Sequence, residues 1–205
     1  STQSRSSAAS DVYKRQVFYG MTAKGYGLPE TLREMNAKLK RILPVDMFCC
    51  ATLLCLSSQR RAVEVWNGGM PEGYLYRHAS GARTPLVARH LPLGVLSAEA
   101  FEDSTEVFSM APGDRVFLLS DGVIDTCNTE EQLFGVERLH QVFAANRQED
   151  QLFEEIRQAL ERFGGSARDD VSMVEVGLPE FPRLAPPALV SVSYTHLTLP
   201  TIYSV

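Results

Sequence analysis

The residues with the clearest chemical potential are carboxylates at two predicted strand ends. The run Gly113-Asp114-Arg115-Val116-Phe117-Leu118-Leu119-Ser120-Asp121-Gly122-Val123 reads as an apolar strand that delivers Asp121 at its end, where Gly122 lets the backbone turn sharply. About fifty residues later, Arg168-Asp169-Asp170-Val171-Ser172 sets a second acidic pair just before another β-branched strand. Carboxylates at two strand ends can share a hard cation, and oxygen ligands with no His or Cys nearby favour Mg²⁺ or Mn²⁺ over zinc. The chemistry this suggests is metal-assisted work on phosphate or a related oxyanion. Asp-Gly is also a common turn and an acidic pair a common solvated surface, so as isolated dipeptides they leave that plainer reading open.

The elements that must position these carboxylates alternate between helix and strand patterns. Leu28 to Leu43 places Leu32, Met35, Leu39 and Ile42 at helical spacing behind Pro29, which suits a first turn. Phe48 to Leu56 is a nearly continuous apolar run, the pattern of a strand buried on both faces. Ala62 to Trp66 alternates as a strand up to the turn Asn67-Gly68-Gly69, and Gly73 to Arg77 with a turn at Ser80-Gly81 predicts antiparallel pairing. Thr105 to Met110 and Arg115 to Leu119 are strands on either side of Pro112-Gly113. Helices are predicted near Val136 to Ala145 and from Asp150 to Phe163, the second stopped by Gly164-Gly165, and Val171 to Val176 is a last strand. Helices set against long antiparallel strands give an α+β layer fold.

The chain has 205 residues, one domain's worth, and a formal charge of −5. That charge argues against nucleic-acid and anionic-membrane partners, whose binding draws on basic patches. No run approaches the roughly 20 apolar residues that span a bilayer. Cys49, Cys50, Cys55 and Cys127 lack metal-ligand spacing and read as reduced core residues of a cytoplasmic protein. His78, His90 and His140 read as surface or structural residues, and no catalytic histidine is assigned. Residues 1–16 and 184–205 read as a head and a tail outside the domain, which occupies 17–183. Both ends resemble stretches that recur at the ends of unrelated assembled sequences, a junction or adapter reading set against that of natural disordered termini.

The order Pro-Gly-Asp, apolar strand, Ser-Asp-Gly-Val, Leu133-Phe134-Gly135-Val136-Glu137-Arg138-Leu139, helix and Ala-Arg-Asp-Asp-Val-Ser resembles the metal-dependent PPM (PP2C-like) protein phosphatases, and most of all their bacterial SpoIIE-type branch. Val65-Trp66-Asn67-Gly68-Gly69-Met70-Pro71 is similar to that branch's Asn-Ala-Gly-His-Pro turn, with Gly68 for the usual Ala and Met70 for His, and Leu91-Pro92-Leu93-Gly94-Val95 is similar to its Pro-Leu-Gly turn. The likeness runs from about Phe18 to Val176.

It implies a β-sandwich of largely antiparallel sheets flanked by helices (αββα), and a serine/threonine protein phosphatase using two Mn²⁺ or Mg²⁺ ions. Asp121 falls on the family's late Asp-Gly metal ligand and Asp169 on the first position of its final acidic motif. Asp170 falls on the second position as a supporting group, and Gly122 permits close backbone approach. Asp125 could orient a water, with capping of the Asp-Gly turn as the plainer role. An early metal aspartate and an Asp-Gly-His-Gly-like motif have no counterpart here. The expectation is a domain incomplete at its N-terminus that holds at most one weak metal site. The implied partner is a phosphorylated regulator, such as an anti-sigma-factor antagonist, with a receiver or sensor domain preceding the module in the parent chain. The rival reading is a phosphatase-like adaptor or response-regulator output domain that binds a partner without catalysis.

Overall fold

Helix α1, residues 14–23, and helix α2, Leu28–Ile42, come first in the computed structural model, which describes residues 14–44, 47–145, 151–164, 171–177 and 188–194. In α2, Pro near the N-terminus loses no hydrogen bond, and Glu30 in the first turn with Lys40 and Arg41 in the last complement the helix dipole. Its stripe Leu28, Leu32, Met35 and Leu39 is fully buried.

Eight strands follow among the described residues: β1 (Cys50–Ser57), β2 (Ala62–Gly68), β3 (Gly73–Tyr76), β4 (Arg83–Leu86), β5 (Glu106–Ser109), β6 (Arg115–Leu119), β7 (Met173–Gly177) and β8 (Ala188–Tyr194). Between β6 and β7 lie helices α3 (Asp121–Ile124), α4 (Gly135–Ala145) and α5 (Leu152–Phe163). One sheet has the order β5-β2-β1-β8 and the other β4-β3-β6-β7, and every ladder between named strands is antiparallel.

Side-chain alternation at period two turns these sheets into four layers. Leu54 and Leu56 of β1 and Val63 and Val65 of β2 meet Leu75, Val116, Leu118 and Val174 of the other sheet in the sandwich interior. The opposite faces of the same strands carry the helices: Ala51, Leu53 and Trp66 pack against α1 and α2, while Tyr74, Tyr76, Phe117 and Leu119 pack against α4 and α5. The α+β fold and its αββα layering are as the sequence predicts. α5 ends at Gly164 in the left-handed region (φ 66°), the conformation a glycine C-cap adopts without strain.

Three features differ from the sequence reading. Neither Asn67-Gly68-Gly69 nor Pro112-Gly113 closes a hairpin; each carries the chain across to the other sheet, so β2 pairs with β1 and β5, and β6 with β3 and β7. Residues 14–16, assigned to the head, form the first turn of α1, where Lys14 is buried against the fold. The assigned tail supplies β8, which runs the length of β1 from Cys50↔Tyr194 to Leu56↔Ala188. Val190, Val192 and Tyr194 alternate with serines at strand period, a short signal that the uncharged, Pro-rich flanks conceal. No helix among the described residues is long and apolar enough to cross a membrane.

Candidate metal centre

Strand β6 sits between β3 and β7, buried along four of its five residues, and ends directly in Ser120 and Asp121. The chain turns there because α3 begins at Asp121, with Ser120 still extended (φ −84°, ψ 162°). Gly122 is thus a buried helical residue rather than a sharp turn. The Asp121 carboxylate is partly exposed; its Oδ1 accepts the Gly122 N–H at 3.0 Å, and it forms no salt bridge among the described residues. A half-exposed carboxylate aligned with the first turn of a helix is a suitable oxygen donor for a hard cation.

The second acidic element approaches from β7. The β6–β7 register runs from Arg115↔Gly177 to Leu119↔Met173. One step further, the Ser120 N–H donates to the Ser172 carbonyl at 2.9 Å, and the Ser172 N–H donates to Ser120 Oγ at 2.9 Å. Asp169 and Asp170 lie outside the described residues, as does Arg168, but the chain that follows them is bonded to the residue preceding Asp121. Among the described residues there is no group of three His, Cys, Asp or Glu side chains able to hold an ion. Asp121 is therefore the one predicted ligand whose surroundings are defined.

Around it, the remaining motif residues build the frame. Asp125 is exposed and its N–H closes α3 on the Asp121 carbonyl at 2.8 Å, while Thr126 Oγ donates to the Gly122 carbonyl at 2.7 Å. Asn67 is buried and fixes its turn by donating to the Pro71 and Leu86 carbonyls and accepting the Met70 N–H. Met70, standing where the resembled family has histidine, is a core side chain at 5% exposure. The Leu-Pro-Leu-Gly turn is pinned to α2: Asn36 accepts the Gly94 N–H at 2.8 Å and donates to the Leu96 carbonyl. Gly94 has φ 86°, which a side chain would strain.

Cys50 begins β1 beside this region. Burial pushes its thiol up to about 11, and the neighbouring Cys49 and the Asp121 carboxylate add to the rise. All four cysteines are free thiols. Among the described residues, the His78 ring covers Gly113, His90 stacks flat on Trp66 at 5.3 Å, and His140 hydrogen-bonds the Tyr74 hydroxyl at 3.0 Å. Sequence reasoning missed Ser120, Asn36 and Asp114. Asp114 is fully buried and accepts from Arg77, the His78 N–H and the Ala111 N–H. A polar residue flanked by apolar strand was the available signal for Ser120 and Asp114.

Two layered antiparallel sheets between helix pairs, with an aspartate at the end of a central strand, define the architecture of PP2C phosphatase domains. The phosphatase domain with a regulatory fragment of SpoIIE from Bacillus subtilis is similar at TM-score 0.68 and 14% identity, over 82% of this chain and 49% of that one. The RsbU and RsbW domains of Rv1364c from Mycobacterium tuberculosis are similar at 0.62 and 18%, over 82% and 46%. RsbX in complex with magnesium is similar at 0.58 and 16%, over 83% and 71%. The chain spans about half the length of the first two structures. Residues 6–179 match the family model described as Stage II sporulation protein E (SpoIIE), and the chain belongs to that family. No curated protein sequence matches it.

Proposed function

We propose that this protein is a metal-dependent serine/threonine protein phosphatase of bacterial signalling, working in the cytoplasm on a phosphorylated regulator. The observation that supports the reading is Asp121 at the end of the central strand β6, beside the β6–β7 ladder that continues into the Ser120–Ser172 bonds. Asp121 offers a carboxylate with one oxygen held by the Gly122 N–H. Asp169 offers a second ligand, and Asp170 supports it from the next position. Bound Mn²⁺ or Mg²⁺ supplies the positive charge that phosphoryl transfer to water demands.

The similar RsbX structure contains magnesium, and that of Rv1364c joins an RsbU to an RsbW domain. The first supports a divalent cation and the second a protein partner in signalling; the reading takes that partner to be a phosphorylated regulator, such as an anti-sigma-factor antagonist, with a receiver or sensor domain in the parent chain.

The test is phosphate release from a phosphoserine protein by the complete gene product, with and without Mn²⁺. Asp121→Asn and Asp169→Asn each keep the shape and remove one charge, so activity should fall on the order of a hundredfold, with weaker metal binding. Metal-independent release, or full activity in both variants, would sink the reading. No release under any condition, with partner binding intact, would favour the adaptor.

A further inference from the structure

The single tryptophan of the chain, Trp66 on β2, is buried beneath a histidine. The His90 ring lies on the indole, 9° from parallel, and its side chain is itself only 10% exposed. Beside the pair runs the segment 97–105 that leads into β5. Its Glu102 carbonyl accepts the indole N–H at 3.2 Å, its Phe101 packs against the indole, and its Asp103 is tied to α2 by Arg33 at 2.6 Å. The His90 N–H donates to the Asn67 carbonyl at 3.2 Å, which fixes the backbone from which the ring projects.

One atom in this arrangement is left unsatisfied. His90 Nδ1 is closed off from solvent and has no hydrogen-bond partner among the described residues. A buried polar atom without a partner costs free energy, and an imidazole is the side chain that takes up a proton near neutral pH. Glu102 Oε2 stands 3.9 Å from Nδ1, beyond hydrogen-bond reach, on a side chain that is 76% exposed. His90 and Glu102 share a pocket of about 210 Å³ with Arg89 and Phe101. The other charges nearby are already engaged: Arg89 with Glu106 at 3.1 Å, and Asp103 with Arg33. Glu102 is thus the carboxylate left, among the described residues, to answer a positive charge on the ring.

We propose that His90 and Glu102 form a pH-operated clasp that fastens the segment 97–105 to Trp66. With the ring neutral, the segment is held by the indole bond and by Phe101 alone. With the ring protonated, Nδ1 carries a hydrogen, and the exposed Glu102 side chain swings onto it to make a charge-assisted bond, while the indole face beneath favours the cation. Glu102 is then held at both ends, by its side chain to His90 and by its carbonyl to Trp66. Acidification therefore tightens the packing of the segment on β2, and through Asp103 its attachment to α2.

Trp66 reports on both events, since the chain has one indole emission and one indole N–H resonance. Between about pH 8 and about pH 5.5, the span in which imidazoles commonly take up a proton, wild-type emission should fall, because an imidazolium stacked on an indole quenches it. His90→Gln should show no such fall. Exchange of the indole N–H, followed by NMR, reads the clasp itself. Taken as the ratio of variant to wild type, so that the intrinsic effect of pH cancels, it should grow roughly threefold or more over the same span in His90→Gln and in Glu102→Gln alike. Glu102→Gln should keep the emission change, because the ring is still protonated. Wild-type emission that does not respond to pH, or a response that persists in His90→Gln, overturns the proposal, and so does a constant exchange ratio in either variant. If His90→Gln does not fold, Glu102→Gln, altered only at an exposed side chain, decides by its exchange ratio.

Discussion

Gly68 stands where the resembled turn carries alanine, and its neighbour two residues back explains why. A methyl group at Gly68 would lie 2.2 Å from Trp66 Cη2 and 2.7 Å from Cζ3. The indole is held in place by its N–H to the Glu102 carbonyl at 3.2 Å, by the His90 ring stacked on it, and by Phe101 at 6.0 Å. It therefore cannot yield without breaking a buried network. Gly68→Ala should destabilise the fold by about 1–3 kcal/mol through overpacking, although its backbone is not in the left-handed region. The same substitution in a Trp66→Leu background should cost less, because the clashing ring is gone and only the contact with the Leu91 carbonyl, at 2.8 Å, remains. A double-mutant cycle read by urea denaturation measures the coupling, and additive effects would show that the two residues are independent.

At the scale of elements, α5 carries a surface charge cluster. Arg157 makes two bonds to the Glu154 carboxylate, at 2.8 and 2.6 Å, and a third to Glu161. The hydrogen bonds from Arg157 and then Gln158 hold Glu154 down to about 2, below its usual 4.5. A carboxylate with a depressed folded value stabilises above its unfolded value and loses that contribution as pH falls through the folded one. Amide protection in α5 should therefore decline between pH 4.5 and about 2. The cluster lies on the solvent side of the helix, so the decline should be small, should shrink in ~1 M salt, and should be absent in Glu154→Gln. An undiminished decline in Glu154→Gln would assign it to other carboxylates.

Elements such as α2, β1, β6 and α5 were legible because each has a strong period and a stop signal: Pro29 at one start, Gly164 at one end, alternation or a full apolar run between. The short α3 was not, since four residues carry no period. Nor was α1, whose polar first turn beside the serine-rich start hides Val17 and Phe18, both buried against α2. Sheet membership was the larger loss. Local pattern locates β5 and β6 but cannot tell that the turn between them changes sheets, because pairing is decided by partners far along the chain. For the same reason Asp121 was recognisable as an acidic strand end, while the bonds between Ser120 and Ser172 beside it were not.

In the whole molecule the sandwich interior has the greatest energetic weight. Leu54 is fully buried between the sheets with Leu75 and Val116, so Leu54→Ala should cost about 2–5 kcal/mol. Val107, on the edge strand β5 at 68% exposure, should change stability by less than about 0.5 kcal/mol when cut to alanine. Thermal unfolding of the two variants separates them, and comparable losses would mean that β5 is covered in solution.

The repeated crossings between sheets also bear on how the protein is made. Because the chain visits the first sheet with β1 and β2, leaves for β3 and β4, returns for β5 and leaves again for β6, neither sheet can be finished as its residues emerge from the ribosome. The ladder joining β6 to β7 waits longest among the steps that build the acidic junction, since Leu119 must find Met173 after α3, α4 and α5 have been synthesised, and closing so long a loop is slow. The nascent chain thus acquires its helices and most of its strands before β7 is joined to β6. A partly synthesised molecule therefore presents Asp121 at the end of β6 before the strand that flanks it there exists.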